Sequence, residues 1–163
     1  MSKKVVGIAM GGYSSEREIS LESGNTVYRV MSPSHWDCFK IVVDRNQWTV
    51  IDSQKNHYPL DPKNFTFKRN NKAVHFDVVF NAIHGTPGED GQLAEILEQL
   101  RIPHTSCGQK TAALTFNKRD CLEKVKEGHN DIGVEDRIQT GKIFNEIGDI
   151  HKNQGNNILR KIL

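Results

Sequence analysis

The sequence predicts an α/β fold, with a Rossmann-like parallel sheet of about four strands flanked by helices. Two observations support this prediction. Short apolar runs of strand length alternate with segments of helical periodicity, and glycine-rich turns follow the apolar runs. Parallel strands need a crossover connection, usually a helix, so this alternation favours a parallel sheet. Such sheets bind ligands at the carboxyl ends of their strands, where we therefore expect a site.

The first part of the chain contains two predicted core strands joined by a helix. Residues 5–10 and 39–43 are the apolar runs, and the first run ends at Gly11-Gly12. The spacing Ser15-x-x-Glu18 is typical of a capping box, in which the serine and the glutamate each satisfy a backbone N–H. A single apolar helical face follows this motif, formed by Leu21, Gly24, Val27, Tyr28 and Met31.

A polar interruption comes next, and the strand–helix alternation then resumes. Residues 44–72 hold short strand-like pieces among Asp, Asn, Pro and Lys, which predict a small β-hairpin excursion on the surface. Residues 74–83 are the third predicted core strand, and residues 102–105 are a brief fourth strand. Between them lies an amphipathic helix with the spacing i, i+3, i+4, i+7, formed by Leu93, Ile96, Leu97 and Leu100. The segment GQKTAALTF opens a further helix.

Composition and charge disfavour several classes of partner. The 163 residues carry a formal net charge of +2 without a block of five like charges, so we expect no nucleic acid and no membrane as partner. The apolar runs are far shorter than the roughly 20 residues that span a bilayer, and the N-terminus lacks a signal-peptide pattern. Three cysteines at unrelated spacings predict reduced thiols in a cytoplasmic protein. The seven histidines lack metal-binding spacings, so we predict no metal site.

The first of three candidate loops follows the first strand. Gly11-Gly12 allows the backbone to turn sharply, and the N-terminus of the next helix favours an anion. Helix capping explains Ser15 and Glu18. It does not explain Glu16, whose carboxylate could neutralise the ammonium group of a ligand.

The second loop follows the third strand. Gly85, Gly88 and Gly91 free the main chain, so that its N–H groups can line a pocket. Glu89 and Asp90 lie at the start of the next helix, where negative charge complements the helix dipole, and this role explains Asp90. His84 has two interpretations: its imidazole either closes the strand by bonding a nearby backbone group or faces a ligand.

The third loop, residues 115–120, contains Lys118. This lysine is either a solvated cation at a helix end or a phosphate partner beneath a second domain. The chain has no dinucleotide fingerprint after the first strand, no P-loop and no Gly-x-Ser-x-Gly elbow.

Three segments together closely resemble the amino-terminal part of the D-alanine–D-alanine ligase family, in order and with suitable gaps. They are GGYSSEREISLESG, VVFNAIHGTPGEDGQLAEILEQLRIPHTSCG and AALTFNKRD. The resemblance runs from about residue 4 to about residue 120, and NAIHGTPGEDG and TFNKRD look especially like the forms in Bacteroidetes ligases. It implies the pre-ATP-grasp domain of a ligase for peptidoglycan synthesis, and so a role in cell wall biogenesis and cell shape.

The resemblance also implies a mechanism and residue roles. In the family, ATP phosphorylates the carboxylate of one D-alanine, and the amine of a second D-alanine attacks the acyl phosphate. Glu16 is expected to bind the ammonium group of the first D-alanine, and His84 and Gly85 to lie beside its carboxylate. Glu16 and His84 are the catalytic candidates, and Lys118 is expected to reach the ATP phosphates. The family uses Mg²⁺ or Mn²⁺ and commonly forms homodimers.

The tail departs from the family. The resemblance implies a central domain with a Lys-Pro and a Gly-Ser-Ser-x-Gly loop, and a final domain with metal ligands and an arginine. Residues 127–163 contain none of these motifs. We therefore divide the chain into residues 1–120, the substrate-side domain, and residues 121–163, a non-family tail whose isoleucine spacings suit helices. We expect the chain alone to be inactive, because most of the groups that stabilise developing charge are missing.

Two other hypotheses stay open. A stand-alone α/β module could bind a small ligand or a ligase subunit without catalysis, and a pure assembly module should ignore D-alanine. A related ATP-grasp enzyme could join other carboxylates and amines. Such an enzyme would need a different residue at the ammonium site, so the presence of Glu16 disfavours this hypothesis.

Overall fold

The computed structural model describes residues 3–31 and 35–130 of the chain. These residues form seven strands and four helices. In chain order the elements are β1 (Lys4–Gly11), α1 (Arg17–Val30), β2 (Trp36–Val43), β3 (Thr49–Ile51), β4 (His57–Asp61), β5 (Thr66–Arg69), β6 (Lys72–His75), β7 (Val78–Asn81), α2 (Gln92–Gln99), α3 (Gln109–Phe116) and α4 (Lys118–Asn130).

The α/β class is confirmed, but the predicted parallel sheet of about four strands is wrong. All seven strands belong to one mixed sheet, in the order β6-β5-β4-β3-β2-β1-β7. Among the strands of the described residues, only β1 makes parallel ladders, with β2 on one side and β7 on the other. The remaining ladders are antiparallel.

The surface excursion predicted for residues 44–72 is instead an extension of the main sheet. Val50 of β3 pairs with Ile41 of β2, and β4, β5 and β6 continue outward by successive antiparallel pairing. The predicted third strand is divided, because residues 76–77 separate β6 from β7. The predicted fourth strand reduces to one parallel bridge between Val79 and His104. Pro103 in that segment has no N–H to donate, which limits ladder formation.

The outer strands curl back over the sheet. The ring centroids of Phe39 on β2 and Phe67 on β5 lie 5.1 Å apart, although β3 and β4 separate their strands. In a flat sheet these two strands would be about 14 Å apart, three strand spacings. The curl encloses an apolar cluster that also contains Phe65 and Phe76, against which Leu93 and Leu97 of α2 are fully buried.

Helix α1 covers the opposite face of the sheet, with the apolar face that its periodicity predicts. Leu21, Val27, Tyr28 and Met31 pack against a second buried cluster formed by β1 and β7. Gly24 permits this close approach, since a Cβ at that position would lie 2.6 Å from the Cβ of Met10. The central strands are therefore covered by helices on both faces.

The last two helices are separated at Asn117. Its backbone is extended, which ends α3, and its side-chain oxygen accepts hydrogen bonds from the N–H groups of Arg119 and Asp120 in the first turn of α4. The predicted domain boundary at residue 120 falls within helix α4, and the division of the chain into two parts stays a prediction. The isoleucine spacings of the tail lie outside the described residues. Among the described helices, none combines the length and apolarity needed to cross a bilayer.

Candidate functional site

The loops that carry the candidate residues meet at one edge of the sheet. Because β1 is parallel to β2 and β7, their carboxyl ends point the same way, and Gly11 pairs with Val43 in register. The N–H of Gly12 donates to the carbonyl of Val43 (2.9 Å), and the N–H of Tyr13 donates to the carbonyl of Thr86 (2.8 Å). These bonds hold the loop after β1 beside the loop after β7.

The predicted capping box between Ser15 and Glu18 is not formed. Helix α1 begins at Arg17, so Glu16 occupies the N-cap position, and no side chain caps the helix. Ser15 therefore lies before the cap, out of position for the predicted bond. Glu18 instead contacts the Arg17 guanidinium, at 3.4 Å. The hydroxyl that bonds this turn belongs to Ser14, which accepts from the N–H of Glu16 at 3.2 Å.

Glu16, His84 and Gly85 lie together at this edge. A Cβ placed on Gly85 would be 3.8 Å from Oε2 of Glu16, so the carboxylate stands directly over the residue that follows His84. The side chain of Glu16 is exposed, and that of His84 is 40% exposed, so both are open to a ligand. The sequence placed these residues on one rim of the sheet, and the structure brings them together there.

The imidazole of His84 contacts side chains on both of its edges. Its Nε2 lies 3.3 Å from Oγ of Ser23, and its Nδ1 lies 4.0 Å from Oε1 of Glu89. The other carboxylate oxygen of Glu89 accepts from the N–H of Gly85 at 2.9 Å. The interpretation in which the ring bonds a backbone group does not match these contacts.

Sequence reasoning did not identify Glu89 as a partner of His84, nor the three serines that contact His84, which are Ser14, Ser20 and Ser23. Glu89 was attributed to the helix dipole together with Asp90, but only Asp90 contacts the start of α2, where it accepts from the N–H of Gln92 at 3.1 Å. Glu89 turns back to the loop that holds His84. A signal was available: Gly85 and Glu89 are four residues apart across a glycine-rich turn, a spacing that lets a side chain bond a preceding N–H.

A cleft of about 470 Å³ opens beside His84. Its walls include Glu89, Ser106, Cys107 and Phe116. The amide nitrogen of Asn81 donates to the carbonyl of Gly88 and to the hydroxyl of Ser106, both at 2.9 Å, and so joins the two loops that form the cleft. Burial raises the pKa of the Cys107 thiol, which disfavours a nucleophilic thiolate in this wall.

Lys118 is not brought next to Glu16 and His84. It is the first residue of α4, its side chain is exposed, and it is two residues beyond Phe116, the last cleft-lining residue of α3. Within residues 3–31 and 35–130, no three or more His, Cys, Asp or Glu side chains are grouped in a way that could hold a metal ion.

An α/β domain with a small cleft at the carboxyl edge of its parallel strands is typical of a domain that binds a small molecule. Residues 5–107 match the family described as "D-ala D-ala ligase N-terminus". The chain therefore belongs to the D-alanine–D-alanine ligase family, and the resemblance noted in its sequence is confirmed.

Individual relatives agree with this assignment. The chain is 46% identical over 124 residues to the D-alanine–D-alanine ligase of Christiangramia forsetii, covering 76% of this chain and 38% of that protein. It is 39% identical over 151 residues to the ligase of Flavobacterium johnsoniae, covering 89% and 47%. Among solved structures, D-alanyl-alanine synthetase A of Vibrio cholerae superposes with a TM-score of 0.66 at 30% identity, covering 81% of this chain and 39% of that one. The chain spans less than half the length of each of these proteins.

Proposed function

We propose that this chain is the part of a D-alanine–D-alanine ligase that binds the first D-alanine. The observation that carries the proposal is that the Glu16 carboxylate lies beside Gly85, the residue after His84, and that serine hydroxyls bond the main chain of His84 from the α1 side. A free amino acid carries an ammonium group and a carboxylate on one carbon. A carboxylate and an imidazole held at the same edge of the sheet can therefore pair with its two ends.

The roles follow from the chemistry of each group. Glu16 accepts charge-assisted hydrogen bonds from the ammonium group, which are stronger than bonds between neutral groups. His84 donates a ring N–H toward the substrate carboxylate. Glu89, at 4.0 Å from Nδ1, orients the opposite edge of that ring. Gly85 leaves room for the substrate, because it has no side chain between the two groups.

In the complete ligase, ATP phosphorylates the carboxylate that His84 orients, and the amine of a second D-alanine attacks the resulting acyl phosphate. We place Lys118 at the ATP phosphates, where its exposed position at the start of α4 leaves it free to meet another domain. The described residues do not fit Mg²⁺ or Mn²⁺, since they hold no group of His, Cys, Asp or Glu side chains that could bind the ion.

The proposal extends to the setting of the protein. Residues 1–120 form the substrate-side domain, residues 121–163 lie outside it, and the protein acts in the cytoplasm in peptidoglycan synthesis. Phe116 and Leu122 are large apolar side chains with 47% and 60% exposure, on the consecutive helices α3 and α4. Such exposure supports association with further ligase domains or with a second copy in a homodimer.

Calorimetry with D-alanine tests the proposal. We expect the chain to bind D-alanine, and Glu16→Gln to weaken binding by at least about tenfold, the effect of losing a hydrogen bond to a charged group. Ser15→Ala is the matched control, because Ser15 is exposed and adjacent but is not the serine that bonds Glu16 or His84. Equal affinity of the Glu16→Gln variant and the wild type would refute the assigned role.

The same exposed apolar residues also support a non-catalytic alternative, a module that binds a ligase subunit. This module should bind full-length ligase and show no heat of binding with D-alanine. A chain that binds D-alanine in a manner dependent on Glu16 is not such a module.

A further inference from the structure

We propose that Ser14 and Ser20 are positioning residues that make the site selective for one enantiomer of its amino acid. The inference rests on the proposed function, in which Glu16 and His84 hold the two ends of D-alanine. Neither serine touches the proposed substrate. Each acts by fixing the relative placement of the two residues that do.

Both hydroxyls bridge the main chains of Glu16 and His84. Oγ of Ser14 accepts from the N–H of Glu16 (3.2 Å) and donates to the carbonyl of His84 (2.9 Å). Oγ of Ser20 accepts from the N–H of His84 (2.9 Å) and donates to the carbonyl of Glu16 (3.1 Å). Ser14 thus links the N–H of Glu16 to the carbonyl of His84, and Ser20 links the carbonyl of Glu16 to the N–H of His84.

The two bridges leave little freedom for relative movement. A serine hydroxyl has a single hydrogen to donate, and in both serines this hydrogen is used in the bridge. Ser20 is completely buried, so water does not compete for its bonds. Residues 16 and 84 lie on different elements, 68 positions apart in the chain, yet they are held as one unit before any ligand arrives.

Rigid placement matters because the two enantiomers of alanine carry the same ammonium and carboxylate groups. They differ only in which side of the line between those groups the methyl group occupies. Anchors at fixed positions and orientations hold the methyl groups of the two enantiomers in different places, so the residues around the anchors contact the two methyl groups differently. Anchors that move independently accommodate both, so loss of a bridge should reduce selectivity.

The test is the ratio of the dissociation constants of L-alanine and D-alanine, measured on the full chain by calorimetry or by NMR shifts. Partial unfolding weakens both enantiomers equally and leaves this ratio unchanged, so the ratio separates positioning from stability. We expect Ser20→Ala and Ser14→Ala each to lower the ratio by about 2- to 10-fold, the effect of one net hydrogen bond. Ser15→Ala should leave the ratio unchanged, and Ser14→Thr, which keeps a hydroxyl, should retain it.

Each outcome is decisive. If the wild type prefers D-alanine and both alanine variants keep the full ratio, the inference is wrong while the proposed function stands. If the wild type binds neither enantiomer, the proposed function fails and the inference fails with it. If Ser20→Ala does not fold, Ser14→Ala decides alone, because Ser14 is only half-buried and its loss opens a single bridge.

Discussion

Replacing Gly85 by alanine tests the geometry of the site directly. Gly85 has a φ of +71°, and a Cβ there would lie 2.7 Å from both Cβ and Oγ of Ser14. Real Cβ atoms do not approach other atoms so closely, so Ser14 would have to move. The bond from its hydroxyl to the carbonyl of His84 would then be lost.

The expected cost has two unfavourable parts and one favourable part. A side chain in the left-handed region costs about 1–2 kcal/mol, and losing the net value of one hydrogen bond costs about 0.5–1.5 kcal/mol. The lower entropy of the unfolded alanine chain offsets about 0.4–1 kcal/mol. Gly85→Ala should therefore lower the free energy of unfolding by about 0.5–3 kcal/mol, the sum of these parts.

The assay is urea denaturation at 25 °C, followed by circular dichroism, for a cycle of four proteins. These are the wild type, Gly85→Ala, Ser14→Gly and the double variant. Ser14→Gly removes the atoms that the new Cβ would meet, so in that background Gly85→Ala should cost only the backbone strain. A coupling free energy of about 0.5–3 kcal/mol between the two positions is expected for contacting residues. Independent, additive effects, or an unchanged stability of Gly85→Ala, would show that Ser14 does not pack on Gly85.

Three further predictions concern the rest of the chain. Arg101 follows Leu100, the C-cap of α2, and has a φ of +57°. Arg101→Gly should therefore raise the free energy of unfolding by about 1 kcal/mol, whereas Arg101→Ala should not, and equal urea midpoints for both variants would contradict this. Burial lowers the pKa of His104, whose buried Nδ1 has no hydrogen-bond partner in the described part of the chain. The unfolded chain then binds this proton more readily, so stability should be full above the ordinary value of 6.5 and fall as the pH drops below it. Urea titrations from pH 7.5 to 5.5 should show that the free energy of unfolding falls less steeply for His104→Gln than for the wild type. His75→Gln is the control at an exposed histidine and should behave like the wild type. Equal slopes for all three proteins would contradict the prediction. Finally, the 163-residue chain should release no phosphate from ATP in response to D-alanine, since its sequence has no Lys-Pro or Ser-Ser-x-Gly segment, and release near the rate of a full-length ligase would refute this.

Local patterns in the sequence predicted the elements around the site. The apolar run of β1, the helical face of α1 and the i, i+3, i+4, i+7 spacing of α2 all reflect which face of one element is buried. This information lies within a dozen residues of chain. The glycines and the charged residues of the two loops were visible in the same way, and parallel strand order was enough to place Glu16 and His84 at one edge.

Strand partners could not be predicted in the same manner. Short strands such as β3 and β5 carry an alternating pattern, but that pattern does not say which strand they join. The contact between Phe39 and Phe67 forms only because the intervening strands curl, and the segment predicted to be a surface hairpin therefore contributes part of the core. The capping error had a smaller cause: the helix begins one residue later than the Ser15 motif requires.

The sequence by itself determined the family, the buried faces and the pair of charged groups that the proposal places at the ends of the amino acid, because these depend on residue type and short spacing. Only the tertiary structure decided how that pair is held. Ser14 and Ser20 look like ordinary loop and helix residues along the chain. Their bridges to His84 depend on the packing of α1 against the loop after β7, an arrangement between segments far apart in sequence.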